Sequence, residues 1–245
     1  METTLLFSGG TDSTLAAVLL LAQEADGDIE RLHLVTYDHR WWTGHFRIGK
    51  AMRRGRELRD RFGADRVSHD LVRIGPLFHR FVTATLLDDY RRFHTNTCCV
   101  GCKLAMHTRT VLYNLERRIG RVADGSAADQ DYHAEQLRGV LDVNRRLYAR
   151  YGIAYSNPSF SLDTAARLER LRREGIRPKG LQPRCLFGAY DFFIYTPLHQ
   201  IHREEEDVMV AYMEHKLPMA MRIIDEAMAL KGLRPVNLEG GMDRA

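Results

Sequence analysis

The stretch LLFSGGTDSTLAAVLLL (residues 5–21) joins two apolar segments through a short run of glycine, hydroxyl and acidic residues. Residues 3–7 have the composition of a buried strand, and residues 12–24 repeat apolar side chains at helical spacing. A helix that starts directly after a strand presents unpaired backbone N–H groups, and its dipole favours an anion. The glycines let the backbone approach that anion, and the hydroxyls add donors. The stretch therefore predicts a phosphate-binding loop, here called the phosphate loop, made of Ser8, Gly9, Gly10, Thr11, Asp12 and Ser13.

Asp12 is open to two interpretations from the residues alone. In a plain glycine-rich turn it would be the N-cap of the helix that follows. In a nucleotide site it would instead help to bind Mg²⁺.

The rest of the chain alternates between strand and helix patterns. Strands are predicted at 31–38, 65–72 and 121–124, and helices at 44–62, from Pro76 to about residue 92, and at 103–119. This alternation predicts an α/β fold with a parallel sheet covered on both faces.

The pattern changes after residue 152. We therefore divide the chain into an N-terminal α/β domain, 1–152, that contains the phosphate loop, and a small, mostly helical C-terminal region, 153–245, that contains the last cysteine. Residues 153–162 look irregular. Helices are predicted at 162–175, closed by Gly175, at 203–216, and at 218–231, with Pro218 at the start of the last one.

The charge balance of the 245 residues is mildly basic, with a net charge of +4. It permits a polyanionic partner without requiring one, and the arginine clusters at 53–56 and 145–146 fit solvated helix faces. No apolar run reaches the roughly 18 residues of a membrane helix, and the N-terminus lacks the basic start of a signal peptide. We expect a cytoplasmic protein with no membrane partner.

Three of the four cysteines fall within residues 98–102, and the fourth is Cys185. The spacing Cys99-x-x-Cys102 lets two thiolates bind one metal, and Cys185 supplies a distant third thiolate. Three cysteines suit a [4Fe–4S] cluster with one open iron, whereas an added Cys98 or histidine suits structural Zn²⁺. A thiol pair for persulfide transfer and simple packing as small hydrophobes are the other possibilities. His94, His107 and His133 are candidates for a ligand or general base, or for structural histidines.

Residues 8–13 resemble the SGGxDS signature of the PP-loop ATP pyrophosphatase superfamily. This resemblance implies a HUP-like (adenine nucleotide α-hydrolase-like) fold, with the pyrophosphate end of ATP at 8–13 and adenine beside strand 32–37. It also implies a reaction in which a substrate oxygen is adenylated, pyrophosphate leaves, and a nucleophile displaces AMP.

Two later stretches are similar to sulfur-inserting members of that superfamily. TNTCCVGCKLAMHT (95–108) and VADGSAAD (122–129) resemble the CxxCK…DGTNADD arrangement of LarE-type sulfur transferases. The CxxC pair with one late cysteine resembles the cluster-binding plan of TtcA-type tRNA thiolases. The resemblance covers about residues 3–188. It implies cluster ligands at Cys99, Cys102 and Cys185, which with Asp12 form the predicted catalytic set, and an acid at Asp129 for Mg²⁺ or the adenylate.

The chain also departs from the LarE pattern. Ala127 and Gln130 stand where that pattern has Asn and a second Asp, and residues 131–136 lack its substrate-binding arginine. Residues 190–245 align with neither family. The acceptor therefore stays open.

We expect an ATP-dependent sulfur transferase whose acceptor is a small molecule or tRNA and whose sulfur comes from a donor protein or sulfide. The alternatives are a tRNA thiolation enzyme, a zinc-containing ATP-dependent amide- or nitrile-forming ligase, and a nucleotide-binding module without catalysis. The methionine-rich stretch 218–232 fits a packing helix or a homodimer contact.

Overall fold

The computed structural model describes residues 1–22, 29–40, 46–130, 133–178 and 206–236. Within them, parallel strands form one sheet in the order β3-β2-β1-β4-β5. The strands are β1 (Glu2–Leu6), β2 (Arg31–Asp38), β3 (Val67–Arg73), β4 (Arg121–Asp124) and β5 (Ala154–Ser156). The predicted α/β class is confirmed.

Helices cover both faces of the sheet. They are α1 (Thr11–Leu21), α2 (Phe46–Phe62), α3 (Gly75–Phe78), α4 (Leu86–Phe93), α5 (Cys98–Arg117), α6 (Arg138–Arg150), α7 (Thr164–Arg173) and α8 (Glu206–Lys231). One apolar core lies between the sheet and α1, α2 and α7, and the other lies between the sheet and α3, α5, α6 and α8. Because both faces are covered, the central strands are almost continuously buried rather than alternating. Among the described residues, no helix is long and apolar enough to cross a membrane.

The sheet order fixes where a ligand can enter. β1 is central, with β2 on one side and β4 on the other, so the chain reverses its direction of winding at β1 and β4. Ligands of open parallel sheets bind at the carboxyl ends of the strands at such a point. The phosphate loop follows β1, and Asp124 ends β4 directly beside Leu6 of β1. The fold therefore brings these two segments to one edge.

Four sequence-based predictions of helices and strands were wrong. The helix predicted from residue 103 begins at Cys98, so the cysteines lie in its first turn. The helix predicted from Pro76 is interrupted by a π-helical segment, His79–Thr83. Residues 154–156, predicted as irregular, form β5, and the two helices predicted around Pro218 are the single helix α8.

The division at residue 152 stays a prediction. β5 lies after it in sequence and is hydrogen-bonded to β4 through Tyr155 and its neighbours. α8 packs on α5 and α6 in the same apolar core. Cys185 lies outside the described residues, as do residues 203–205 of the predicted helix.

Candidate active site at the carboxyl ends of β1 and β4

The phosphate loop has a backbone suited to an anion. Gly9 adopts a positive φ of 75°, and a Cβ there would lie 2.7 Å from the Cα of Ala51 in α2. Gly10 is the N-cap of α1 and makes no side-chain cap, so the N-cap interpretation of Asp12 is wrong. The hydroxyls of Ser8 and Ser13 lie 3.0 Å apart across the loop. The first N–H groups of α1 thus face the loop without a side-chain cap, which is the arrangement that binds phosphate.

Gly125 brings the end of β4 against the start of α1. A Cβ on Gly125 would lie 2.5 Å from the backbone nitrogen of Ser13 and 2.7 Å from the carbonyl carbon of Asp12. Side-chain atoms do not approach backbone that closely, so only glycine fits between the two segments. The segment 124–126 is therefore one wall of the phosphate loop.

Asp124 is the fully buried acid of the site. Lys103 Nζ lies 3.0 Å from its Oδ2, and the Tyr155 hydroxyl donates to the same oxygen at 2.9 Å. Asn157 Nδ2 and the backbone N–H of Ser126 donate to Oδ1 at 2.6 and 3.0 Å. Burial alone would raise the pKa of Asp124, but the charge of Lys103, with smaller contributions from His107 and Ser126, holds it well below its ordinary value. Asp124 is therefore a permanent anion that fixes Lys103.

His107 lies beneath this pair. It is fully buried, its Nδ1 is 2.8 Å from the Tyr148 hydroxyl, and its Nε2 is 3.9 Å from Asp124 Oδ2. Burial, reinforced by the charge of Lys103, lowers the pKa of His107 to about 3 against the pull of Asp124. At neutral pH the imidazole is uncharged, so His107 supports the site from the core and does not face a ligand.

The cysteines of the first turn of α5, residues 98–102, are here called the cysteine turn. Cys99 and Cys102 are three residues apart, so their side chains project from neighbouring positions on one side of the helix, and both are partly exposed. Cys98 is 6% exposed and packs in the apolar core. Cys99 and Cys102 therefore lie in the first turn of a helix, directly before Lys103.

The cysteine turn is held from behind by α8. A Cβ on Gly101 would lie 2.4 Å from the hydroxyl oxygen of Tyr212, which donates to the carbonyl of Phe81 at 3.0 Å. No room remains for a side chain at residue 101. The C-terminal helix therefore helps to position the cysteines.

The cysteine turn fits part of a cluster site. Cys99 and Cys102 offer two suitably spaced thiols, and the predicted third ligand, Cys185, is outside the described residues. Within those residues, no group of three or more His, Cys, Asp or Glu side chains is placed to hold a metal ion. The assignment of Cys99, Cys102 and Cys185 as ligands thus stays a prediction.

Asp12 and Asp129, predicted to aid Mg²⁺, both contact Arg167 of α7. Arg167 Nε lies 2.9 Å from Asp12 Oδ1, as an ion pair without hydrogen-bond alignment, and Nη1 donates to Asp129 Oδ1 at 2.7 Å. Gln130 Nε2 donates to Asp12 Oδ2 at 3.1 Å, and the backbone N–H and hydroxyl of Thr164 donate to Asp129 Oδ2. All four carboxylate oxygens have partners, and the guanidinium stands between the two acids. In this arrangement they do not fit a Mg²⁺ ion shared between them.

Sequence reasoning missed three residues of this site. Lys103 lies in the motif 95–108, directly after Cys102, and Asp124 lies in the motif 122–129, directly before Gly125. Nothing local in the sequence indicates that they form a pair. Arg167 is one of several arginines on an arginine-rich helix. Its pattern gives no sign that this side chain is buried.

The fold and this edge define a class: a five-stranded parallel α/β domain with a phosphate loop after its central strand. Comparison with protein-family models and with curated proteins gives no match. Among solved structures, the chain is similar to the U34-tRNA thiolase NcsA from Methanococcus maripaludis with its [4Fe–4S] cluster. The TM-score is 0.50 and the identity 16%, and the match covers 89% of this chain and 73% of that one. At this level of identity the likeness shows a similar fold and no more.

Proposed function

We propose that this protein is an ATP-dependent sulfur transferase that forms AMP and pyrophosphate. One observation carries the proposal: Lys103, which follows Cys102, pairs with Asp124, and the adjoining Gly125 packs on the phosphate loop at Ser13. The Lys103 side chain thus links the cysteine turn to the segment that forms one wall of the phosphate loop. We infer that the phosphate loop activates the oxygen and that the cysteine turn handles the sulfur.

The chemistry follows from this arrangement. The N–H groups at the start of α1 and the hydroxyls of Ser8 and Ser13 bind the pyrophosphate end of ATP. The substrate oxygen attacks the α-phosphorus and pyrophosphate leaves; sulfide sulfur then bonds to the activated carbon, and the carbon–oxygen bond breaks to release AMP. Lys103, fixed by Asp124, places a positive charge where negative charge develops on the leaving groups. A [4Fe–4S] cluster held by Cys99, Cys102 and Cys185 would supply an open iron for the incoming sulfide.

tRNA is the acceptor we favour. The similar solved structure is a tRNA thiolase, and the net charge of +4 suits a polyanion. α2 carries Arg53, Arg56 and Arg61 along a groove that also contains Glu57 and Asp60. A tRNA that uses these arginines should bind with a steep dependence on salt.

The test is an anaerobic assay with ATP, sulfide and either bulk tRNA or small amide and carboxylate acceptors. We expect pyrophosphate release together with a thiolated nucleoside, detected by mass spectrometry, in the tRNA arm. Thiolation of a small molecule instead would support sulfur transfer but contradict tRNA as the acceptor. Pyrophosphate release that requires ammonia and proceeds without sulfur uptake would contradict the proposal and favour the ligase.

A further inference from the structure

Arg167 is an unusual residue for a surface helix. It lies on α7 but is 1% exposed, and it is among the largest buried side chains of the described residues. Besides Asp12 and Asp129, it donates to the carbonyl of Leu162, and Nη2 donates to the hydroxyl of Thr164 at 2.8 Å. This set of partners fixes the positively charged guanidinium in place.

The position of that charge matters for nucleotide binding. Asp12 is in the first turn of α1, where a polyphosphate is expected, and an unneutralised carboxylate there would repel it. A Mg²⁺ ion held by the protein would remove this repulsion. In this structure the guanidinium of Arg167 already lies against Asp12 and also satisfies Asp129.

The neighbouring residues strengthen this arrangement. Gln130 stands where the similar pattern has a second Asp, and it donates an N–H to Asp12. Gln136 in turn donates to the side-chain oxygen of Gln130 at 3.1 Å and accepts from the backbone N–H of Ala127. Asp12 thus has a hydrogen-bond donor in Gln130 and a cation in Arg167. These are the partners that a carboxylate needs when it does not bind a metal ion.

We propose that Arg167 is a positioning residue that neutralises Asp12 and Asp129 in place of a Mg²⁺ ion held by these carboxylates. This inference rests on the proposed nucleotide site. A nucleotide then brings any Mg²⁺ on its own phosphates, and the phosphate loop is charge-balanced before it arrives. Arg167 also ties α7 to the phosphate loop through Asp12.

The first test measures metal binding without nucleotide, with Mn²⁺ as the probe. The wild-type protein should have no saturable Mn²⁺ site that depends on Asp12 or Asp129. Any saturable binding that it shows should be unchanged in Asp12→Asn and in Asp129→Asn. Arg167→Gln should gain such a site, because it removes the cation and frees Oδ1 of both Asp12 and Asp129. Arg172→Gln is the matched control, since Arg172 is on the same helix with 61% of its side chain exposed. Wild-type Mn²⁺ binding that Asp12→Asn or Asp129→Asn abolishes would overturn the proposal.

The second test measures ATP affinity in EDTA and in excess Mg²⁺. In EDTA, Arg167→Gln should bind ATP about tenfold or more weakly than wild type, and Asp12→Asn added to it should restore most of the affinity. A loss of ATP affinity that is equal in EDTA and in excess Mg²⁺, and that Asp12→Asn does not repair, would contradict a neutralising role. If Arg167→Gln does not fold, the wild-type and asparagine variants still decide through Mn²⁺. If the wild type binds no ATP, the proposed function fails, while the Mn²⁺ measurement still judges the role of Arg167.

Discussion

At the scale of single residues, Asp124 concentrates the polar interactions of the site. Its two carboxylate oxygens form an ion pair with Lys103 and accept hydrogen bonds from Tyr155, Asn157 and the backbone of Ser126. The side chain itself is buried. In Asp124→Asn, the amide nitrogen cannot accept hydrogen bonds and Lys103 loses its counter-charge. We expect a loss of about 3 kcal/mol in the free energy of unfolding, measured by urea denaturation at neutral pH.

The pH dependence of this loss has a definite sign. Because the pKa of Asp124 is held well below its ordinary value, its contribution is complete above about pH 4 and is lost as the pH falls below that. The gap between wild type and Asp124→Asn should therefore narrow in acid. Asp88→Asn, an exposed carboxylate on α4, should stay within about 0.5 kcal/mol of wild type. A gap that widens in acid would contradict this account.

His107 predicts a separate loss of stability at a higher pH. Its pKa is lowered to about 3 by burial, and the unfolded chain has an ordinary value of about 6.5. The unfolded state therefore takes up a proton first, and stability falls as the pH drops from about 6.5 towards 3, by at most roughly 1.4 kcal/mol per pH unit from this residue. His107→Gln should flatten that slope, measured by urea denaturation across the range. His79→Gln, at an exposed position, should leave it unchanged.

The residue scale also marks the limit of sequence reasoning. The phosphate loop could be predicted from the sequence because its glycines and hydroxyls are contiguous, and its role stays a prediction. The pair Lys103–Asp124 and the contacts of Arg167 with Asp12 and Asp129 join residues that are 21 or more positions apart, so only the folded chain puts them together. Asp12 and Asp129 were singled out, but their shared partner was not.

At the scale of elements, the close approach of β4 and α1 depends on Gly125. Gly125→Ala places a methyl carbon 2.5 Å from the backbone of Ser13, so one of the two segments must move. We expect ATP affinity, measured by calorimetry, to fall by about tenfold or more, because the phosphate-binding N–H groups lose their alignment. Gly49→Ala in α2 meets nothing within 4 Å and should leave affinity unchanged while stabilising the protein by about 0.5–1 kcal/mol. An unchanged affinity for Gly125→Ala would place the nucleotide elsewhere.

α8 is one helix in spite of Pro218. Met213, Leu217, Ala220 and Ile224 are buried around this proline, and their packing on the core keeps the helix continuous. Proline still removes a helical hydrogen bond and crowds the preceding turn, so Pro218→Ala should raise the free energy of unfolding by about 1–3 kcal/mol. Thermal denaturation checks this, with Glu226→Ala as an exposed control on the same helix. A loss of stability would instead mean that the packing of α8 requires the proline.

The errors in element boundaries have physical causes. Pro218 is a common helix start, but packing along α8 outweighed that local preference. The start of α5 at Cys98 was missed because cysteine is a weak helix former, while Asn96 Oδ1 accepts the backbone N–H of Cys98 at 3.0 Å. β5 is three residues long, too short for its periodicity to be recognised.

At the scale of the whole molecule, the order of the strands brings motifs that are far apart in sequence to the same edge of the sheet. The phosphate loop follows β1, Asp124 ends β4, and the cysteine turn reaches the same edge through Lys103. α7 contributes Arg167 from the other face of the sheet. The alternation of strands and helices was enough to predict this architecture, whereas the acceptor depends on surfaces that no motif describes.

The most direct test of the account is metal and sulfide analysis of anaerobically purified protein. We expect about four irons with matching sulfide in wild type, lost in Cys102→Ala. Cys98→Ala is the matched control and should keep the iron, because Cys98 is buried in the apolar core. One zinc and no iron in the wild type would contradict cluster-based sulfur transfer and bring the zinc-containing ligase forward.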